Sequence, residues 1–152
     1  MATILCIDDE SKILEVQRAL LESKGYKVLS ASDGPTGIAL ARKLLIHAVL
    51  LDFNMPGMDG NQVAQVLMKE HPALRLVVWS GCLDEIPESL KWFADAVLSK
   101  GDGPETLLPV LEKIVSGTHR GKKPPARAIH GATLGRYARP LSAELREGRS
   151  HP

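Results

Sequence analysis

The sequence predicts a doubly wound α/β sandwich, a fold in which helices cover both faces of a single parallel sheet. Five short apolar runs recur through the first 117 residues, and amphipathic stretches of helical length lie between them. The runs are continuous rather than alternating between apolar and polar residues, which is typical of parallel strands that are buried on both faces. We therefore expect three layers, with a five-stranded sheet in the middle.

The five apolar runs are predicted to be the strands of this sheet. In chain order they occupy residues 4–7, 26–29, 48–51, 76–79 and 96–98. Of the two tryptophans, Trp79 lies in the fourth run and is expected to pack in the core. Trp92 lies near the end of the following helical stretch, where it could pack in the core or anchor a partner protein.

The first three helices are predicted from apolar spacing and from the residues that bound them. Apolar residues recur at helical spacing over residues 13–21, and Gly25 ends the turn that follows. Residues 36–45 are rich in Ala and Leu, and residues 62–70 lie between an Asp-Gly pair and a proline. Each of these stretches follows a strand, as the alternating pattern requires.

The last two predicted helices each contain a proline. Residues 85–93 include Pro87, which a helix tolerates only in its first turn. Pro104 opens the last helix, which is predicted to run to residue 116 and has Pro109 in its second turn. We expect Pro109 to strain this helix.

Polar residues follow four of the five strands, at the edge of the sheet where parallel strands end and where such folds bind ligands. The set comprises Asp8, Asp9 and Glu10 after the first strand, Asp52 after the third, Ser80 after the fourth and Lys100 after the fifth. Carboxylates, a hydroxyl group and an ammonium group are therefore expected to converge on one edge.

This set of side chains has the chemistry of a metal-dependent phosphoryl acceptor. Closely packed carboxylates repel one another, and their oxygen atoms suit a hard cation such as Mg²⁺. A carboxylate can also act as a nucleophile towards a phosphoryl group, giving an aspartyl phosphate. Lys100 would then pair with one phosphoryl oxygen, and Ser80 would donate a hydrogen bond to another.

Taken singly, these residues also have simpler structural interpretations. Asp8 or Asp9 could cap the helix that begins near Ser11, Ser80 could be an ordinary turn residue, and Lys100 could simply be solvated. We favour the functional interpretation because the residues occur together at one edge of the sheet.

The first 117 residues resemble the receiver domain of bacterial two-component response regulators, in the manner of a chemotaxis regulator. The resemblance rests on Asp8-Asp9, on Ser80-Gly81, on Lys100 and on the segment Asp-Phe-Asn-Met-Pro-Gly-Met-Asp-Gly at residues 52–60. The pattern Asp-x-x-Met-Pro-x-Met-x-Gly in that segment is highly specific for the family. The resemblance implies the flavodoxin-like form of the fold.

The resemblance also implies a role for each acidic residue. Asp52 would accept the phosphoryl group, and Asp9 and Asp52 would ligate Mg²⁺ directly. Asp8 would help to bind the ion through a water molecule, and the backbone carbonyl of Asn54 would complete the protein's ligands.

Further roles are implied for residues around the acceptor. Ser80 and Lys100 would sense the phosphoryl group. The side chains of Asn54 and Cys82 occupy the two positions that in this family tune how quickly the phosphoryl group is hydrolysed. Gly57 is expected to adopt a left-handed conformation in the loop that follows Asn54.

The sequence departs from the family pattern at three positions. Val97 stands where the family favours a Tyr or Phe that turns inward after phosphorylation, so the aromatic half of that switch is missing. Gly101 follows Lys100 where the family usually has a proline, often after a cis peptide, and we expect a more mobile loop. Gly81 replaces the commoner Ala, which should leave the site accessible.

Charge divides the chain after Gly117. Residues 1–117 hold 11 Lys and Arg against 16 Asp and Glu, a net charge of −5, whereas residues 118–152 hold 8 against 2, a net charge of +6. Residues 118–152 also contain Gly and Pro and show no apolar periodicity. They are predicted to be a flexible basic tail attached to a domain at residues 1–117.

Composition argues against a membrane protein or a disulfide-stabilised one. No apolar run approaches the roughly 20 residues that span a bilayer, and the N-terminus lacks the basic opening of a signal peptide, so a cytoplasmic location is expected. The two cysteines, Cys6 and Cys82, are predicted to be free thiols.

These features predict a single-domain regulator that catalyses only its own phosphorylation and dephosphorylation. A histidine kinase or phosphotransfer protein would phosphorylate Asp52, and an unidentified partner protein would bind the face formed by the fourth helix, fifth strand and fifth helix. The alternatives are a phosphorylation-independent adaptor and a nucleic-acid binder that acts through the basic tail. A phosphatase with an Asp nucleophile is disfavoured because such enzymes commonly have a second Asp where this chain has Asn54.

Overall fold

The computed structural model describes residues 1–117, and the predicted basic tail at residues 118–152 lies outside the described residues. Five parallel strands form one sheet in the order β2-β1-β3-β4-β5. The strands are β1 (Thr3–Ile7), β2 (Lys27–Ala31), β3 (Ala48–Leu51), β4 (Arg75–Ser80) and β5 (Ala96–Ser99). The predicted sheet is therefore confirmed, with strand boundaries that differ by one or two residues.

A helix follows every strand. The helices are α1 (Ser11–Glu22), α2 (Gly34–Lys43), α3 (Gly60–Glu70), α4 (Glu88–Phe93) and α5 (Leu107–Val115). Two of them begin at side-chain caps, because the Asp33 carboxylate accepts a hydrogen bond from the backbone of Thr36 at 2.8 Å and Asp59 forms a reciprocal capping box with Gln62. These caps fix where α2 and α3 leave the edge of the sheet.

The helices form two layers around the sheet. Helices α1 and α5 bury apolar residues such as Leu21 and Leu111 against one face, where Trp79 is only 3% exposed. Helices α2, α3 and α4 cover the other face through residues such as Leu67 and Leu90. This arrangement confirms the doubly wound sandwich and the predicted core position of Trp79. Trp92, by contrast, is 48% exposed on α4.

The two helices that contain prolines differ from the prediction. Helix α4 begins at Glu88, because Pro87 has an extended backbone and precedes the helix rather than lying in its first turn. Pro104 opens a separate 3₁₀ turn, and α5 begins only at Leu107. Pro109 thus lies in the first turn of α5, where a backbone N–H has no acceptor within the helix. The strain predicted at Pro109 is therefore wrong.

Arg18 ties α1 to β2, which is an edge strand of the sheet. Its guanidinium group donates hydrogen bonds to the backbone carbonyl of Val28 at 3.1 Å and to the Ser30 hydroxyl at 3.1 Å. It also pairs with Glu22, one turn further along the helix. Three acceptors therefore hold one arginine side chain along the outer side of β2.

The prediction of two free thiols is confirmed. Cys6 is buried, Cys82 is exposed, and both are free thiols. Within residues 1–117, the structure contains no helix with the length and apolarity that a membrane crossing requires.

Candidate functional site

Asp8 and Asp52 lie next to each other because their strands are neighbours in register. Ile7 pairs with Leu51 across β1 and β3, so each strand delivers an aspartate at the following position. The backbone N–H of Asp52 donates to Ile7 at 2.9 Å, and that of Asp8 donates to Ala31 at 3.1 Å, which continues the sheet hydrogen bonds through both residues. Asp8 and Asp52 are 1% and 4% exposed. Two buried carboxyl groups therefore share one edge of the sheet.

Lys100 joins these two carboxyl groups. Its Nζ lies 2.9 Å from Oδ2 of Asp8 and 3.3 Å from Oδ1 of Asp52, with the more exposed Glu10 at 3.7 Å. The side chain of Lys100 is only 16% exposed. The interpretation of Lys100 as an ordinary solvated lysine is therefore wrong, and the structure brings β1, β3 and β5 together at one cluster of charges.

Burial raises the pKa of Asp52 to about 7, and the negative charge of Asp8 acts in the same direction. The neighbouring carboxyl group of Asp9 raises it further, whereas the ammonium group of Lys100 opposes the increase. Burial alone would lower the pKa of Lys100, but Asp8 and Asp52 raise it above its ordinary value. The cluster thus holds more negative charge than a single ammonium group balances.

Acidic oxygens crowd the loop that follows β1. Asp8, Asp9 and Glu10 each place a carboxylate oxygen within 4.8 Å of the others. Oδ1 of Asp8 accepts a hydrogen bond from the backbone of Glu10 at 2.9 Å, and no side chain caps α1. The alternative in which Asp8 or Asp9 caps α1 is therefore wrong. A set of hard oxygen donors with excess negative charge fits Mg²⁺, and Glu10 belongs to it although the sequence assigned it no role.

Ser80 ends β4 and is fully buried. Its hydroxyl accepts a hydrogen bond from the backbone N–H of Cys82 at 3.2 Å and donates one to the Cys82 carbonyl at 3.3 Å. Ser80 thus forms the turn foreseen by the simpler interpretation. Its hydroxyl can donate to a ligand only by giving up the Cys82 carbonyl.

The loop between β3 and α3 folds tightly around the acceptor strand. Gly57 has a φ of +78°, which confirms the predicted left-handed conformation. Asn54 is exposed, and the role of its carbonyl stays a prediction. A Cβ on Gly60 would lie 2.6 Å from Cα of Phe53 and 2.7 Å from the carbonyl oxygen of Asp52. Helix α3 therefore starts in direct contact with the backbone of Asp52, a contact for which the glycine itself was the only sequence signal.

The three departures from the family pattern lie at or near this edge. A Cβ on Gly81 would have no atom within 4 Å, so the position beside Ser80 is open. The backbone N–H of Gly101 donates to the Ser99 hydroxyl at 3.2 Å, and no cis peptide occurs within residues 1–117. Val97 is half-buried in β5.

Comparison with known proteins places these features in a family. The sequence model of the response regulator receiver domain family matches residues 4–112. Protein PilH of Pseudomonas aeruginosa is 32% identical over 121 residues, which cover 77% of this chain and all of PilH. The response regulator NarL of Escherichia coli is 36% identical over 76% of this chain, but the match covers only 56% of NarL.

Solved structures give the same result. A CheY-like receiver domain protein from Methanospirillum hungatei is 27% identical, with a TM-score of 0.72 over 77% of this chain and 95% of that one. The response regulator TrrA from Thermotoga maritima, solved in complex with Mg²⁺-BeF, is 25% identical, with a TM-score of 0.71 over 75% of this chain and 99% of that one. TrrA has also been solved in complex with the histidine kinase ThkA.

Proposed function

Because the chain belongs to the family of response regulator receiver domains, we propose that Asp52 accepts a phosphoryl group from a histidine kinase or a phosphotransfer protein. The observation that carries this proposal is the buried pair of Asp8 and Asp52 with Lys100 between them. The complex of the similar protein TrrA with a histidine kinase supports the class of donor. The protein would modify its own carboxylate rather than turn over a free substrate.

In the proposed step, a carboxylate oxygen of Asp52 forms a bond to phosphorus while the bond from phosphorus to the donor breaks. The electron pair of that bond leaves with the donor group, which takes up a proton from solvent. Lys100 donates to a phosphoryl oxygen, and the Ser80 hydroxyl turns from the Cys82 carbonyl to another oxygen. Attack by water later releases inorganic phosphate and restores the Asp52 carboxylate.

The proposed cofactor is Mg²⁺, held directly by Asp9 and Asp52, through water by Asp8, and by the Asn54 carbonyl. When bound, the ion supplies positive charge that stabilises the carboxylates and the transferring phosphoryl oxygens. The support is the oxygen donor set described above and the complex of TrrA with Mg²⁺-BeF. The raised pKa of Asp52 also supports a bound cation. It shows that the ionised carboxylate is destabilised at this site, and a nearby positive charge stabilises the ionised form.

We further propose that a partner protein binds the face formed by α4, β5 and α5. Trp92 is 48% exposed on α4, and large aromatic side chains are frequent anchors at protein interfaces. Strand β5 is the edge strand beside β4, and it leads directly to Lys100. A change at Lys100 would therefore begin next to this face.

Phosphorylation can be tested by intact-mass analysis after incubation with Mg²⁺ and acetyl phosphate. We expect the wild-type protein to gain the mass of one phosphoryl group and the Asp52→Asn variant to gain none, because the amide is not a nucleophile towards phosphorus. A chelator should suppress the gain in the wild type. An equal gain in wild type and Asp52→Asn would assign the acceptor to another residue, and no gain in wild type would refute the proposed function.

Metal binding can be tested separately from phosphorylation. We expect Mg²⁺ to raise the thermal unfolding midpoint of the wild type, since a ligand present at tenfold its dissociation constant stabilises the folded state by about 1.4 kcal/mol. The Asp9→Asn variant should lose most of this increase. Glu112→Gln, which removes an exposed carboxylate on α5, is the matched control and should retain it. Equal stabilisation of wild type and Asp9→Asn would show that Asp9 is not a ligand.

A further inference from the structure

Trp79 contacts both Lys100 and the residue before it, Ser99. The Nζ of Lys100 lies 5.9 Å from the centroid of the Trp79 ring, within the range of a cation–π interaction. The indole Nε1–H of Trp79 donates a hydrogen bond to the backbone carbonyl of Ser99 at 3.2 Å. One buried side chain therefore touches the charge of Lys100 and holds the residue that precedes it.

Hydrogen bonds hold the backbone of the turn at Lys100, from the Gly101 N–H to the Ser99 hydroxyl at 3.2 Å and from the Gly103 N–H to the Lys100 carbonyl at 3.3 Å, but neither bond restrains the lysine side chain. A lysine side chain has four rotatable carbon–carbon bonds. Lys100 also opens a short 3₁₀ turn that is followed by Gly103, whose φ is +88°. The neighbouring Gly101 has no side chain that could pack against the lysine. The rigid ring of Trp79, on β4, gives the Lys100 side chain a packing surface that the turn itself does not provide.

We infer that Trp79 is a positioning residue for Lys100: its ring supports the ammonium group, and its N–H fixes the end of β5. The inference rests on the proposed function, in which Lys100 stabilises the transferring phosphoryl group. The contacts to Asp8 and Asp52 do not replace Trp79, because the proposed function assigns Asp8 to the Mg²⁺ site and changes the charge and shape of Asp52 by phosphorylation. The ring contact does not depend on that change.

Trp79 also packs in the core with Leu111 of α5, so the test must separate positioning from stability. Phosphorylation rates from acetyl phosphate and Mg²⁺ would be measured by intact mass for Trp79→Phe, Trp79→Leu and the core control Leu111→Ala, below all their unfolding midpoints. We expect Trp79→Leu to be slowed roughly tenfold, Trp79→Phe to be slowed less because it keeps a ring, and Leu111→Ala to react at the wild-type rate. A wild-type rate for Trp79→Leu, or equal slowing of Leu111→Ala, would overturn the inference.

A second measurement does not require phosphorylation. In a Trp92→Phe background, Trp79 is the remaining tryptophan, and its fluorescence reports on its surroundings. Lys100→Met should change the emission of Trp79, whereas Lys69→Met, which replaces an exposed lysine on α3, should not. Unchanged emission in Lys100→Met would overturn the inference. If the wild type accepts no phosphoryl group, the proposed function fails, and the emission result alone decides whether Trp79 holds Lys100.

Discussion

The Asp52→Asn variant is expected to be more stable than the wild-type protein at about pH 8 without metal, by on the order of 2–4 kcal/mol. The pKa of Asp52 is raised to about 7 in the folded protein, first by burial and then by Asp8. In the unfolded chain an Asp carboxyl titrates near ~3.9. Ionisation of Asp52 therefore opposes folding, and the uncharged, isosteric Asn removes this cost. In the Asp52→Asn variant, Lys100 still pairs with the Asp8 carboxylate, so the substitution does not leave the ammonium group without a partner.

The sign of the pH dependence follows from the same pKa. Below about pH 4 Asp52 is protonated in both states and contributes no difference. Between about pH 4 and 7 the unfolded state loses the proton that the folded state keeps, so stability falls as pH rises, by up to about 1.4 kcal/mol per unit. Above pH 7 both states are ionised and the penalty is complete.

Urea unfolding of both proteins in the presence of a chelator, at about pH 5 and about pH 8, measures this effect as a difference. The advantage of Asp52→Asn should grow with pH, while contributions of groups such as Asp33 and Glu70 cancel between the two proteins. Asp102→Asn, which removes an exposed carboxylate near Lys100, is the control and should stabilise the protein far less than Asp52→Asn does. A constant difference for Asp52→Asn would show that the pKa of Asp52 is not raised.

Replacement of Gly60 by Ala is expected to destabilise the protein by about 2 kcal/mol or more and to slow phosphorylation. The added Cβ would lie 2.6 Å from Cα of Phe53 and 2.7 Å from the carbonyl oxygen of Asp52. Both contacts are with backbone atoms, which cannot turn away as a side chain would. Relief of the overlap must therefore separate α3 from the strand end that carries Asp52.

Gly81→Ala is the matched control for this prediction, because its Cβ would meet no atom within 4 Å at the same edge of the sheet. Urea unfolding and the phosphorylation rate would be measured for both variants. We expect Gly81→Ala to change the free energy of unfolding by less than about 1 kcal/mol. If Gly60→Ala were as stable as Gly81→Ala, the close contact between α3 and Asp52 would be absent.

The fold and three members of the charge cluster were predictable because both depend on local patterns and one topological rule. Continuous apolar runs identified the buried parallel strands, and the carboxyl ends of those strands share one edge. Asp8, Asp52 and Lys100 follow three of the strands directly, so their convergence required no knowledge of side-chain packing. The Pro109 prediction failed because residues 104–106 form a separate 3₁₀ turn, so that α5 begins at Leu107. A proline at position 104 is compatible with the start of either kind of helix and does not distinguish them.

The contacts that position the site were not predictable in the same way. Trp79 was assigned to the core, and its burial is confirmed, but its approach to Lys100 depends on how β4 and β5 pair. Gly60 stood in the recognisable segment at residues 52–60, yet the reason for a glycine there is a distance between two backbones. Glu10 was expected at this edge with the other carboxylates, but its approach to Lys100 at 3.7 Å depends on the turn that Asp8 forms with it.

The hydrogen bond from Arg18 to Val28 has a consequence for how this protein behaves at high concentration. In β2, the residues that bond to β1 alternate with residues whose backbone groups point outward, and Val28 is one of the latter, since its neighbour Lys27 donates to Ala2. An exposed row of such groups is a template on which a strand from another molecule can add. Arg18 occupies the Val28 acceptor and places a positive charge along that row. We therefore expect the Arg18 side chain, which also fastens α1, to hinder the addition of a strand at this edge of the sheet.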